Sequence, residues 1–262
     1  MIIDAHEHVI RPKKDQKHLA EEAGIDHIIL FSTTVHPEQA SDLSGLSREL
    51  GKLQDIMEGR INPVTSRIHA AEELASVVRS DPSLFHGFGP VPLGLSDNAY
   101  RTWIETYIVS NHFLGIGELL PPPGQAEILE PLFRISGEFG NLPLWIHTFN
   151  PLGWADIQKI LDMAAHYPHI PVILGHLGGS YWLDVLKSVR SLPNVYLDLS
   201  ALFTTMALVY AVREYPGRTL FSSDAPYGRP LSYLTVCRQN IKDPAVLKRV
   251  CGENMAELLS LP

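Results

Sequence analysis

Short β-branched, apolar runs alternate along this chain with longer stretches in which apolar positions return every three or four residues. That switching between period two and period 3.6 predicts strand–helix units packed around a parallel sheet. The runs at 2–6, 26–31, 85–90, 114–118, 143–147, 171–176, 195–198 and 219–224 read as eight strands. Helices are predicted at 16–23, 41–58, 70–79, 98–110, 126–139, 154–166, 181–191, 205–214, 230–240 and 254–259. In the second of these, Leu43, Leu46, Leu50, Leu53 and Met57 fall on one face, as an amphipathic helix requires. Gly24, Gly140 and Gly217 stand where helices take a C-terminal cap.

Eight such units in 262 residues, with no internal repeat or linker, predict one domain over 1–262. The expected class is α/β, a distorted (β/α)8 barrel. The polar residues favour this over an open sheet. Strands one, four, five, six and eight end on, or just before, a His, Glu or Asp. An open sheet gathers its ligands at one crevice, whereas residues on strands one, four, five, six and eight converge only if the sheet closes.

The first strand reads Ile3-Asp4-Ala5-His6-Glu7-His8. Strict alternation puts Asp4, His6 and His8 on one face, toward the barrel mouth, and Glu7 on the other. Two imidazoles two residues apart can hold one cation with little backbone strain. Alone, the pair fits a solvated strand end equally well. The other strand ends supply Glu118 (GIGEL), His147 (WIHTFN), His176 (VILGHLGG) and Asp224 (FSSDAPYG). Any one of them is readily explained by packing, capping or an Asx turn. All of them at the same end of successive βα units are not. Imidazoles with carboxylates suit zinc first, with manganese, iron or nickel also compatible. A cation with an open position makes water nucleophilic near neutral pH, and a nearby carboxylate, here Asp224, can take the proton.

Composition narrows the field. A formal charge of −8 without a basic patch argues against nucleic acid as a partner. No apolar run approaches the roughly 20 residues of a membrane span. The N-terminus lacks the basic and long apolar regions of a signal peptide. Two cysteines do not make a disulfide framework, so a reduced cytoplasmic location is expected. Homo-oligomerisation is left open.

In order and over the whole chain, IDAHEHV, GIGEL, WIHTFN, VILGHLGG, FSSDAPYG and the terminal GENMAELL resemble the amidohydrolase superfamily. More narrowly, they resemble the amidohydrolase-related group that includes aminocarboxymuconate-semialdehyde and resorcylate-type decarboxylases. The resemblance implies a distorted (β/α)8 barrel with one or two divalent metal ions. His6, His8 and Asp224 would hold the first ion. In a one-metal site His147 would join them, with His176 orienting water or substrate. Glu118 departs from those decarboxylases. It is similar to a glutamate of TatD-type deoxyribonucleases and some lactonases, which bridges two metals while the histidines of strands five and six hold the second. A site able to take two ions is therefore expected, with Asp224 and His176 as its catalytic groups. The loops after the strands offer His36, Phe149, Asn150, Tyr181, Trp182 and Arg229 as contacts for a small-molecule substrate. The reaction expected is hydrolysis of a small ester, lactone or amide. The alternatives are a non-oxidative decarboxylase of a small carboxylic acid and a TatD-like phosphoesterase or nuclease.

Overall fold

The computed structural model describes residues 1–57 and 63–261. Among them run eight parallel strands, each hydrogen-bonded to the next in chain order. They are β1 (Ile3–His8), β2 (His27–Phe31), β3 (Phe85–Gly89), β4 (Gly115–Leu119), β5 (Leu144–His147), β6 (Val172–Gly175), β7 (Val195–Asp198) and β8 (Thr219–Leu220). Backbone bonds from the first strand to the segment after the last complete the ring. These run from Ala5 N to Phe221 O (3.0 Å), His8 N to Ala225 O (2.7 Å) and Asp224 N to His6 O (2.8 Å). The predicted barrel is therefore present, with β8 shorter and β1 longer than the apolar pattern suggested.

The helices are α1 (Lys13–Ala23), α2 (Leu43–Met57), α3 (Pro63–Ser80), α4 (Asp97–Trp103), α5 (Glu130–Glu138), α6 (Trp154–His166), α7 (Trp182–Ser188), α8 (Thr205–Glu214), α9 (Pro230–Asn240), α10 (Pro244–Lys248) and α11 (Asn254–Leu259). Glu58, the last residue of the second predicted helix, lies outside the described residues. Of that helix's predicted apolar face, Leu43 and Leu50 are exposed. The third helix starts at Pro63 rather than 70, because proline suits a first turn, where its missing N–H costs nothing. Periodicity did not predict α10. Its one turn is started by Asp243, which accepts from Ala245 N, followed by Pro244. Gly24 (φ 69°) and Gly140 (φ 83°) sit in the left-handed region expected of caps. Gly217 is not such a cap: α8 closes at Tyr215, which precedes Pro216 and so leaves helical geometry first.

Two apolar layers hold the barrel. Inside it, Ile3, Ala5, Ile29, Phe31, Phe88, Trp145, Ile173 and Leu220 pack together with Met255 of α11. Outside, Ile28, Leu30, Ile146, Leu174 and Leu197 pack against helix residues such as Leu74, Phe133, Ile160 and Leu208. The side-chain phase of β1 is not continuous. Its register against β2 slips between Asp4 and Glu7. Ile3 and Ala5 face inward before the slip, and so does His6 after it, its ring edge-on to Phe31 (4.7 Å) and Trp145 (5.1 Å). Asp4 therefore does not share the mouth with His6 and His8, as strict alternation predicted. It is turned to the outer layer with Glu7, which accepts from Gln16 of α1 (2.7 Å), while Asp4 Oδ1 accepts from Ser223 N (2.9 Å). An extra residue in one strand resets which face later side chains occupy. No helix among the described residues is long and apolar enough to cross a membrane.

Candidate metal centre

The C-terminal ends of β1, β4, β5 and β6 and the turn after β8 bring His6, His8, Glu118, His147, His176 and Asp224 to one place. Two triads form: His6, His8 and Asp224, then Glu118, His147 and His176. Glu118 also reaches the first. Its Oε2 lies 3.9 Å from His6 Nε2 and 3.8 Å from His8 Nε2. Asp224 Oδ1 lies 3.8 Å and 3.3 Å from the same two nitrogens. A four-coordinate ion with bonds of about 2.0–2.2 Å needs donors about 3.3–3.6 Å apart, so these four atoms are close to a cage. On its other side, Glu118 Oε1 is 2.9 Å from His147 Nδ1 and 3.2 Å from His176 Nε2, and those nitrogens are 3.1 Å apart.

Whether these residues suit a cation can be judged from their hydrogen bonds. His147 Nε2 is 3.0 Å from the carbonyl oxygen of Asn150, which can only accept. The imidazole proton therefore belongs on Nε2, leaving the Nδ1 lone pair aimed at Glu118 Oε1. His176 is fixed in the opposite sense. Ser200 Oγ donates to Asp198 Oδ2 (2.6 Å) and so accepts from His176 Nδ1 (2.8 Å), freeing Nε2. His6 donates from Nδ1 to Asp198 Oδ2 (3.1 Å), also freeing Nε2. Lone pairs thus converge on lone pairs, and only protons or a cation between them make that stable. His6 Nε2 and Asp224 Oδ1 are buried without a hydrogen-bond partner among the described residues, as ligand atoms would be. The donor set fits a divalent ion.

Charge agrees. Burial opposes a positive His6, but the Asp198 hydrogen bond and the fields of Asp224 and Glu118 outweigh it and raise its pKa to about 10. Burial would likewise raise the Glu118 acid. The facing His147, with His176 and His6, instead holds it well below the usual carboxylate range. A cation entering this centre replaces protons the site would otherwise hold.

The loops around the centre are tightly folded. His176 (φ 64°) and Asp224 (φ 59°) both occupy the left-handed region, uncommon for residues with a side chain and tolerated where the surroundings enforce it. After Asp224 the chain turns back at once, with Tyr227 N and Gly228 N both donating to Asp224 O (2.8 and 3.1 Å). Only glycine fits at 228, because a Cβ there would collide with the Ser223 carbonyl oxygen. The turn brings the Tyr227 ring edge-on to His8 at 5.9 Å.

The proposed substrate residues scatter more than the ligands. Phe149, Asn150 and Tyr181 line a cavity of about 130 Å³ with Thr148, Leu152, Gly178 and Ser180, and the Phe149 ring faces His176 at 6.1 Å. Trp182 is half-buried at the start of α7. His36 is buried among acids, its Nδ1 3.1 Å from Glu38 and its Nε2 3.9 Å from Glu73. Arg229 pairs with Glu22 of α1 at 2.6 Å on the exposed flank.

Three participants had no role in the sequence reading: Asp198, Ser200 and Arg67. Asp198 ends β7, and the strand-end rule that selected the ligands selects it too. Arg67, on α3, lies within electrostatic reach of Glu118 although it is 51 residues away in sequence.

A profile of the protein family described as Amidohydrolase matches residues 3–261. No curated protein sequence matches the chain. Among solved structures it is similar to 5-carboxyvanillate decarboxylase from Sphingomonas paucimobilis, with 15% identity, a TM-score of 0.71, and 100% of this chain and 99% of that one covered. A TIM-barrel protein from Bordetella bronchiseptica gives 13% identity and a TM-score of 0.74, covering 99% and 98% of the two chains. Dihydroxybenzoic acid decarboxylase from a Polaromonas species, with bound manganese and the inhibitor 2-nitroresorcinol, gives 19% and 0.63, covering 99% and 97%. At these identities the likeness establishes a common barrel.

Proposed function

The chain belongs to the amidohydrolase family, and from that premise we propose that it is a metal-dependent hydrolase of a small ester, lactone or amide. One observation carries this reading: Glu118 sets Oε1 beside His147 and His176 and Oε2 3.9 Å and 3.8 Å from His6 and His8, so that it would be shared by two divalent ions were both bound. His6, His8 and Asp224 would hold one ion, and His147, through Nδ1, and His176, through Nε2, the other. We propose zinc, given the four imidazoles. When bound, the ions supply Lewis acidity, making water nucleophilic near neutral pH and polarising the scissile carbonyl.

The chain's own groups do the rest. Asp224 takes the proton of the attacking water and passes it to the leaving group. Its position is held by the Asp224–Gly228 turn and by Asp224 N donating to His6 O. Phe149 and Tyr181 give the substrate an apolar wall, and Tyr227 overhangs His8. A nuclease is disfavoured by the net charge of −8. The free, buried Cys237 and Cys251 are in keeping with the reduced cytoplasm proposed as its location.

Decarboxylation of a small aromatic acid is the second reading. The names of the similar structures favour it over hydrolysis, since two of the three described above are decarboxylases. The position of Glu118 between the two triads supports hydrolysis instead. The test is a metal-reconstituted preparation, analysed for ions per chain and assayed on lactones, esters, amides and hydroxybenzoates. Two ions per chain and acid release from a lactone or ester are expected. One ion per chain with CO₂ release and no hydrolysis would overturn the reading in favour of the decarboxylase.

A further inference from the structure

Strand β7 supplies no ligand to either triad, yet its last residue touches both. Asp198 is fully buried and accepts five hydrogen bonds among the described residues. Oδ1 takes them from Ser200 N (2.7 Å) and from the Ser222 hydroxyl. Oδ2 takes them from His6 Nδ1 (3.1 Å), His176 N (2.9 Å) and Ser200 Oγ (2.6 Å). A carboxylate has about four lone-pair sites, so none is left for a cation, although Asp198 lies within ligand reach of His6 and His176.

We infer that Asp198 is the positioning residue of the whole centre, fixing the tautomer of His6 directly and that of His176 through Ser200. This rests on the metal-dependent reading above. His6 belongs to one triad and His176 to the other, so a single carboxylate couples them. The reason is chemical. An imidazole offers a lone pair at one nitrogen only when the other carries the proton, and an acceptor at Nδ1 decides which. Asp198 accepts from His6 itself. For His176 it accepts the Ser200 hydroxyl proton, which turns the serine oxygen into the acceptor that His176 needs. The His176 amide adds a second hold, pinning a residue whose backbone is in the left-handed region.

The experiment is a cobalt(II) titration of metal-stripped wild type, Asp198→Asn and Ser200→Ala, read by visible absorption, with thermal unfolding of each stripped protein alongside. Asp198→Asn should weaken cobalt binding about 10–100-fold at both steps and change the band shape. Ser200→Ala should weaken only the step that involves His176 and leave unfolding of the stripped protein nearly unchanged. Wild-type affinity and spectrum in both variants would overturn the inference. Loss of one entire binding step in Asp198→Asn, with Ser200→Ala unaffected, would also overturn it by making Asp198 a ligand. Should Asp198→Asn fail to fold, Ser200→Ala alone decides, because the relay predicts its step-specific loss. Wild type that takes up no cobalt would refute the metal reading instead, a result distinguishable from the others.

Discussion

At the scale of single residues, chemistry depends on which atom of each side chain is free. His147 is tied at Nε2, while His6 and His176 are tied at Nδ1, so the three present opposite nitrogens to the same centre. His8→Ala removes one corner of the first cage and should leave that site largely empty, as metal analysis of the purified variant will show; full occupancy would refute the assignment. Asp224→Asn keeps the size of the side chain but cannot accept a proton at neutral pH. It should lower the turnover number by about 10²–10⁴ while moving the melting temperature by only a few degrees. A wild-type rate would remove Asp224 as the base. Residues of this kind are partly legible in sequence, because ligand types at strand ends stand out. Asp198 ends its strand in the same way, but the work it does becomes visible only once its five donors are placed.

At the scale of elements, the turn after β8 and the first strand are interlocked. Gly228→Ala forces a Cβ against the Ser223 carbonyl and must displace the turn that holds Asp224. It should cost about 1–3 kcal/mol of stability and lower metal occupancy in parallel, read by calorimetry and metal analysis. At the opposite end of the barrel, His27 of β2 faces His86 of β3, Nδ1 to Nε2, at 3.1 Å. Burial, and then the charge of His27, push the His86 pKa down to about 4. The unfolded chain takes up this proton near the ordinary value of 6.5 and the folded protein only near 4. The unfolded state thus binds more protons in that window, and stability falls as pH drops through it. His86→Phe removes the contribution. Its melting temperature relative to wild type should rise between pH 6.5 and 4 and stay constant above pH 7.5; a constant offset throughout would contradict the assignment.

For the molecule as a whole, the centre ties together strands far apart in sequence. His6 and Asp224 stand 218 positions apart, and the bonds that complete the ring run between their segments. A cation held by both ends of the chain binds the folded barrel and not the unfolded chain, so it stabilises in proportion to the logarithm of its concentration over Kd. Stripping with a chelator should lower the melting temperature, and added zinc should restore it progressively; an unchanged midpoint would argue against a folded-state site spanning both ends.

The sequence by itself determined the barrel, because eight alternations of period two and period 3.6 allow few other packings, and it determined which residue types stand at the strand ends. The predicted bounds of α6, α8, α9 and α11 coincide with the observed ones, and Gly153 before α6, Pro216 after α8 and Pro230 at the start of α9 mark three of those ends. Tertiary structure alone decided the rest. The slip in β1 turned Asp4 away from the mouth and kept His6 and His8 within it, because a local bulge is set by pairing with neighbouring strands and leaves no mark in the alternation. Arg229 went to Glu22 of α1 on the flank, and His36 went among Glu38 and Glu73 of its own βα unit, because those partners claimed them. The reach of Glu118 into both triads likewise follows from closing the ring, since only closure brings β1, β4, β5 and β6 within a few ångströms of one carboxylate.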